Sequence, residues 1–122
     1  MPLFVIQEHR RRKTVHFDLM LERGKKLATW SIAKPPRGNN PIITAAYQLP
    51  AHRRIYLAYE GKISRGRGNV RIWDKGAYQI KEWQEKLIII ILQGKKISGP
   101  VLLIRSFRPG QGWFLIKTDL PD

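Results

Sequence analysis

The residues best equipped for chemistry are three histidines, the only ones in the chain, and the groups that surround them. The segment Thr14–Glu22 (TVHFDLMLE) alternates: Val15, Phe17, Leu19 and Leu21 fall on one side, Thr14, His16, Asp18, Met20 and Glu22 on the other. Residues two apart on a strand share a face at a spacing of about 6.6–6.8 Å. His16 and Asp18 can therefore reach toward one ion. An imidazole with a carboxylate suits a divalent metal such as Mn, Fe or Zn. The same pair is also ordinary on a solvated strand face. His9 lies seven residues earlier, after the first apolar run. If the first two strands pair, it comes round to the same place and makes a set of two histidines and one carboxylate.

The segment His52–Glu60 (HRRIYLAYE) has the same alternation, with Ile55, Leu57 and Tyr59 opposed to His52, Arg54, Tyr56, Ala58 and Glu60. Its second face gathers a histidine, a guanidinium and a phenol. All three can donate to phosphate oxygens, and arginine can do so with two parallel bonds. The plain alternative is a basic strand edge that discourages pairing with another chain. Arg10, Arg11, Arg12 and Lys13 form a charge run, either a solvated turn or a lure for an anionic substrate. Gly66-Arg67-Gly68 is a basic turn that either offers N–H groups to phosphate or simply closes a hairpin. Trp30, Trp73, Trp83 and Trp113 read as core residues rather than base-stacking platforms. Glu22 and Glu60 are candidates for a general base.

Short β-type runs must position these groups. Strands are expected over Leu3–Gln7, Thr14–Leu21, Lys26–Ile32, Arg54–Glu60, Asn69–Asp74, Leu87–Leu92, Val101–Ser106 and Trp113–Lys117. Glycine, proline or asparagine bounds many of them. One short helical piece is expected near Lys81–Lys86, and Lys34–Pro41 (KPPRGNNP) is the expected mobile loop. About eight strands at this spacing predict a mainly β chain: a small antiparallel β-barrel or sandwich with little helix. The 122 residues suit one domain, 1–122.

Composition narrows the partners. Lys and Arg number 23 against 9 Asp and Glu, a net charge of +14. That excess favours polyanions, nucleic acid before an anionic membrane surface. Without cysteine there can be no disulfide, thiolate zinc site, iron–sulfur cluster or cysteine nucleophile. The longest apolar run, Leu87–Leu92, is far short of the roughly 20 residues of a membrane-spanning helix. The first apolar residues precede the basic ones, the reverse of a secretory leader. A cytoplasmic, nucleoid-associated protein is expected.

The ordered motifs are more specific than any one of them. Gln7-Glu8-His9 is followed by His16-x-Asp18-Leu-Met-Leu-Glu22, Thr29-Trp30 and Lys34. His52-x-x-x-Tyr56, Tyr59-Glu60-Gly61 and Val70-x-Ile72-Trp73-Asp74-x-Gly76 come next. Leu92-x-Gly94-x-x-x-x-Gly99, Leu103-Ile104-Arg105 and Trp113–Lys117 close the series. From about Leu3 to Lys117 the chain resembles the 3′-phosphoesterase domain of the DNA repair ligase D family, and is closest to its short stand-alone relatives.

The resemblance implies a compact β-barrel with a concave active site. It implies a manganese-dependent enzyme, with Zn²⁺ or Co²⁺ as alternative metals, that heals 3′ ends by removing a 3′-ribonucleoside and then a 3′-phosphate. By the same resemblance His9, His16 and Asp18 are metal ligands, His52 and Tyr56 act on the phosphate, and Lys34 is a further site residue. Arg54 and the Arg10–Lys13 run are the stand-ins for phosphate-binding cations. These are needed because Met20 and Thr44 occupy positions where ligase-linked members carry arginine, and Pro50 replaces a family glutamate. Those members also have five residues between the metal histidines, where this chain has six. The expected partners are DNA 3′ ends or primer-templates, with a separately encoded ligase or polymerase, and the expected state is a monomer.

Two other functions compete. A barrel lacking those arginines could grip nucleic-acid ends without catalysis, bind with a steep salt dependence and survive EDTA. His-x-Asp with a distant histidine is also the ligand pattern of non-haem iron oxygenases, although a charge of +14 has no use there.

Overall fold

The computed structural model describes residues 1–36, 42–108 and 112–118. Its strands are β1 (Leu3–Arg11), β2 (Thr14–Arg23), β3 (Lys26–Ile32), β4 (Ile42–Arg53), β5 (Gly61–Lys62), β6 (Asn69–Trp83), β7 (Leu87–Gln93), β8 (Ser98–Arg105) and β9 (Trp113–Lys117). Eight of them close an antiparallel barrel in the order β1-β2-β3-β4-β9-β8-β7-β6, with β6 returning to β1. β5 is a two-residue addition to β6. Two long strands make the closure. β4 pairs with β9 through 42–46 and with β3 through 46–53. β6 pairs with β1 through 69–77 and with β7 through 77–83. Each strand leaves one neighbour as it meets the next, which is the stagger a barrel requires. Bulges at Ile6/Gln7, Leu27/Thr29 and Ile80/Glu82 add local twist.

Alternation sends Phe4, Ile6, Leu19, Leu21, Ile90 and Leu103 into the barrel. Trp30 stands at the centre of an aromatic group, with Trp113 at 5.5 Å and Trp83 at 6.2 Å, both edge-on. The core reading of the tryptophans therefore holds: Trp30 and Trp113 are buried, while Trp73 and Trp83 are partly buried against the same core. A second, smaller cluster forms outside the wall. Val5, Met20 and Leu27 face outward and are buried beneath Tyr56, Leu57 and Ile72. At this one place β1 and β2 are covered on both faces, and the cover is the chain that follows β4. Among the described residues no helix is long and apolar enough to cross a membrane.

Two expectations need correction. Arg54–Leu57 is a single 3₁₀ turn, not part of a strand. Tyr56 and Leu57 pack on the outer wall rather than alternating into the core, while Ile55 is exposed. The strand in that region is β4, which the sequence disguises with Pro50. Proline is tolerated there because it sits at the bulge opposite Ala28, where the ladder is interrupted. The expected helix at Lys81–Lys86 is the end of β6 and a tight hairpin. Trp83 pairs with Ile88, and the Gln84 N–H donates to the Leu87 carbonyl at 2.8 Å. Of the expected mobile loop Lys34–Pro41, residues 37–41 lie outside the described residues.

The Trp73-Asp74-x-Gly76 and Gly94 motifs turn out to be architectural. Asp74 is buried and accepts N–H bonds from Lys75 (2.9 Å), Lys95 (3.1 Å), Lys96 (2.8 Å) and Ile97 (2.9 Å). One carboxylate thus satisfies the turn between β7 and β8. A Cβ on Gly94 would overlap Asp74 Oδ2, so glycine is required for this approach. Hydrogen bonds to a charged group contribute about 1.5–3 kcal/mol each and leave unpaired donors when lost. Asp74→Ala is expected to lower the unfolding free energy by roughly 3 kcal/mol, measured by urea denaturation. A loss below about 0.5 kcal/mol would refute the clamp.

Candidate functional site

The β1–β2 hairpin brings the predicted ligands together. His9 lies directly opposite His16, and Gln7 directly opposite Asp18. Phe4 and Ile6, like Leu19 and Leu21, point into the barrel. Gln7, His9, His16 and Asp18 therefore share the outer face as a two-by-two patch. The six residues between the histidines suit this register: Arg10 pairs with Val15, Arg11 with Thr14, and Arg12 and Lys13 make the turn. Arg12 adopts the left-handed conformation at φ 57°.

The donor atoms converge. His9 Nδ1 lies 3.2 Å from His16 Nε2, and His16 Nε2 lies 3.3 Å from an Asp18 oxygen. His9 Nδ1 is 4.0 Å from the other Asp18 oxygen. Three such atoms fall within 4.8 Å of one another. Separations of 3.2, 3.3 and 4.0 Å put the three donors within reach of one cation. The tautomer is set from outside: His9 Nε2 lies 2.7 Å from the Arg67 carbonyl, which it can reach only as a donor. Nδ1 is then left with its lone pair toward the cluster, as in metal-binding histidines anchored by a backbone carbonyl.

Asp18 is the member of the cluster whose surroundings best suit a cation. It is buried, and its Oδ1 has no hydrogen-bond donor despite the nearby imidazole. Burial raises its pKa above the usual carboxylate value, with the neighbouring histidines opposing the shift when charged. Two imidazole nitrogens and one buried carboxylate fit a divalent ion such as Mn²⁺, Zn²⁺ or Co²⁺.

A cavity of about 340 Å³ opens beside this cluster. His9 and Asp18 form one wall, Met20 lies within it, and His52, Arg53, Tyr56 and Arg67 complete it. His52 Nδ1 donates to the Pro50 carbonyl at 2.8 Å, which leaves Nε2 free. The His52 and Tyr56 rings meet edge-on at 5.8 Å because a 3₁₀ turn, not a strand, brings them together. That turn is held by Gln7, whose Nε2 donates to the carbonyls of Tyr56 (3.0 Å) and Tyr59 (3.1 Å). The Gly66–Gly68 turn closes the lower side. Gly68 takes φ 89°, and a Cβ there would overlap the Arg10 carbonyl oxygen.

Over this geometry, residues 7–105 match the family of the DNA Ligase D 3′-phosphoesterase domain. The chain belongs to this family. It is 36% identical over 110 residues to the multifunctional non-homologous end joining protein LigD of Mycobacterium bovis, covering 84% of this chain and 14% of that protein. Against the LigD of Mycolicibacterium smegmatis the identity is 35%, covering 90% of this chain and 16% of that protein. Against the LigD of Pseudomonas aeruginosa it is 32%, covering 93% and 15%. The chain therefore spans about one-seventh of the length of these curated relatives.

Within this phosphoesterase-family barrel, other predicted residues fall elsewhere. Arg54 is paired with Glu22 and does not line the cavity. Lys34 is exposed just beyond β3. Arg10 is paired with Glu8 at 2.9 Å, and Arg11, Arg12 and Lys13 are exposed at the hairpin end. Neither candidate base faces the ligands: Glu22 is taken by Arg54 and the Leu3 N–H, and Glu60 accepts the Ile72 N–H at 2.8 Å. Thr44 is on β4 in register with Leu115, away from the cavity. The cations that do line it are Arg53 and Arg67, which sequence reasoning missed. Arg53 precedes the turn, with its guanidinium 5.9 Å from the Tyr56 ring, and Arg67 is anchored to Ser64. The basic Gly-rich turn was the one signal for Arg67. Nothing singled out Arg53 while 52–60 read as a strand.

The raised pKa of Asp18 has a defined sign. The folded chain holds this proton to a higher pH than the unfolded chain does, so stability falls as pH rises from about 4 through the raised value. In EDTA at pH 8, Asp18→Asn is expected to raise the urea midpoint above wild type, with the gap closing toward pH 4. A divalent metal at 100 times its Kd is expected to stabilise wild type by about 2.7 kcal/mol and leave the variant unmoved. A variant less stable than wild type at every pH would show that the carboxylate is already compensated.

Proposed function

We propose that the chain is a divalent-metal-dependent phosphoesterase that acts on DNA 3′ ends in non-homologous end joining. One observation carries this reading: in a member of this family, two imidazole nitrogens and an under-partnered carboxylate converge at the edge of a cavity that also holds His52, Tyr56 and two arginines. His9, His16 and Asp18 would hold the metal, with Mn²⁺ the expected ion. When bound, it would polarise the phosphoryl oxygen and offset the charge that develops there.

The remaining chemistry falls to the chain's own side chains. Arg53 and Arg67 neutralise and orient the terminal phosphate, supplying the charge that Met20 does not. The Tyr56 hydroxyl donates to a phosphate oxygen. In hydrolysis a water oxygen joins phosphorus and the bond to the 3′ oxygen breaks. The water's protons end one on the 3′ oxygen and one on the released phosphate. With its Nδ1–H held on the Pro50 carbonyl, His52 in its imidazolium form hands the Nε2 proton to the leaving 3′ oxygen and regains one from the attacking water. Removal of a 3′-ribonucleoside would use the same site, with a phosphodiester in place of the monoester. The excess of positive charge suits a DNA end as substrate.

On a primer-template ending in a 3′-phosphate, Mn²⁺ is expected to support release of phosphate, and EDTA to stop it. His16→Ala is expected to abolish release while keeping the β-type circular dichroism spectrum. Arg53→Gln is expected to lower kcat/KM by at least about 10-fold, the scale of one charge-assisted hydrogen bond. Turnover that persists in EDTA or in His16→Ala would remove this mechanism. Tight end binding with no turnover under any metal would leave a non-catalytic DNA-binding barrel.

A further inference from the structure

The apolar run Leu87–Leu92 has no gap for a polar residue. Ile88, Ile90 and Leu92 are buried inside the barrel, so Leu87, Ile89 and Ile91 face outward. The next strands repeat the pattern. Inward Val101 and Leu103 leave Leu102 and Ile104 outside on β8. Inward Leu115 leaves Phe114 and Ile116 outside on β9, and inward Ala46 leaves Ile43 and Ala45 outside on β4. Register joins these residues into two rows. Ile89 lies opposite Leu102, Leu102 opposite Ile116, and Ile116 opposite Ile43. Beside them Leu87, Ile104, Phe114 and Ala45 follow one another across the same four strands. Neither row holds a charged or hydrogen-bonding side chain, in a chain of which 26% is charged. Glu82 on β6, opposite Ile89, marks where the apolar face stops. An antiparallel strand with one wet face normally alternates apolar with polar, and a strand that reads apolar throughout is one covered on both faces. Yet Ile43 stands 70% exposed and Phe114 43%.

The occupant of such a face must be apolar and uncharged, and a second copy of the chain meets both needs. Each copy carries +14, so two copies repel wherever cations face cations. This face is where they can meet without that cost. Sheets pack face to face about 10 Å apart, and a two-fold axis sets the same rows against each other. With Ile91, Pro100 and Tyr47 at its margins, the patch measures about 19 Å across the strands and about 20 Å along them. Two such faces bury on the order of 1,000 Å² in all, the low end for a specific interface. The placement leaves the candidate metal site open. In strand order β9 lies four places from β1, and β8 four places from β2, whichever way round the barrel is followed. Copies joined there carry their His9, His16 and Asp18 clusters on opposite outer sides.

We infer that the outer face of β7, β8, β9 and β4 pairs two copies of the chain back to back, whatever the chemistry at the metal site, in place of the monomer expected from the sequence. The test is sedimentation velocity of the full chain without nucleic acid over a series of concentrations. A monomer–dimer equilibrium is expected, with a dissociation constant on the order of 10 μM for an interface this small. Salt separates this contact from one held by charge. Raising NaCl from about 0.1 to 1 M shortens the screening length from about 10 to 3 Å, which relieves the repulsion between copies, so the dimer is expected to tighten. Phe114→Lys and Ile43→Lys each place a charge in the contact twice, once per copy. Each is expected to raise the dissociation constant at least about 10-fold while keeping the β-type circular dichroism spectrum. A chain that stays monomeric at every concentration would overturn the pairing. So would association that runs on past the dimer, a dimer that dissolves in 1 M salt as an ionic contact does, or a dimer that both folded lysine variants leave intact.

Discussion

The register of the β1–β2 hairpin is the constraint on which the rest depends. Because side chains alternate with a period of two, a slip of one residue would send Gln7, His9, His16 and Asp18 inward and bring the apolar residues out. The barrel core forbids that slip, since Phe4, Ile6, Leu19 and Leu21 are buried together inside it. Hydrophobic packing on one face thus positions polar chemistry on the other. The candidate ligands need no scaffold of their own. They inherit their spacing from cross-strand pairing, His9 against His16, and from the two-residue step to Asp18.

Two buried aspartates divide the work between architecture and chemistry. Asp74 accepts four backbone N–H bonds, so its charge is dispersed into a turn. Asp18 has an oxygen with no donor and a carboxyl whose pKa burial has raised. A satisfied carboxylate stabilises the fold, whereas an unsatisfied one costs stability until a cation arrives. The difference lies in the backbone around each residue, not in the residue type.

The cover over the outer wall links packing to the site. Met20 is buried with Val5 and Leu27 under Tyr56 and Leu57. That contact, with the two bonds from Gln7, holds the 3₁₀ turn against β1 and so sets His52 and Tyr56 beside the ligands. Met20 therefore has a packing role on this face. The same cover carries Arg53 to the cavity, while the Gly66–Gly68 turn brings Arg67, so positive charge returns from two directions.

The barrel class and most of its strands were legible in the sequence, because alternation such as that over Thr14–Glu22 is a local property, and His9, His16 and Asp18 stood out as a candidate set because the chain has only three histidines. The strand β4 was not, since Pro50 argues against a strand unless the bulge opposite Ala28 is known. Arg54 and Arg53 exchanged roles for a related reason: a 3₁₀ turn rotates successive side chains differently from a strand, so one residue pairs with Glu22 and its neighbour lines the cavity. Glu22 and Glu60 had suitable chemistry, but their partners are distant in the chain and invisible without the fold. The sequence by itself determined the alternation, the charge and the candidate set of His9, His16 and Asp18, all of which are carried by residues close together in the chain. Only the tertiary structure decided which cations reach the cavity, which carboxylates are already occupied and which aromatic residues stay exposed, because those depend on contacts between segments that are far apart along the chain.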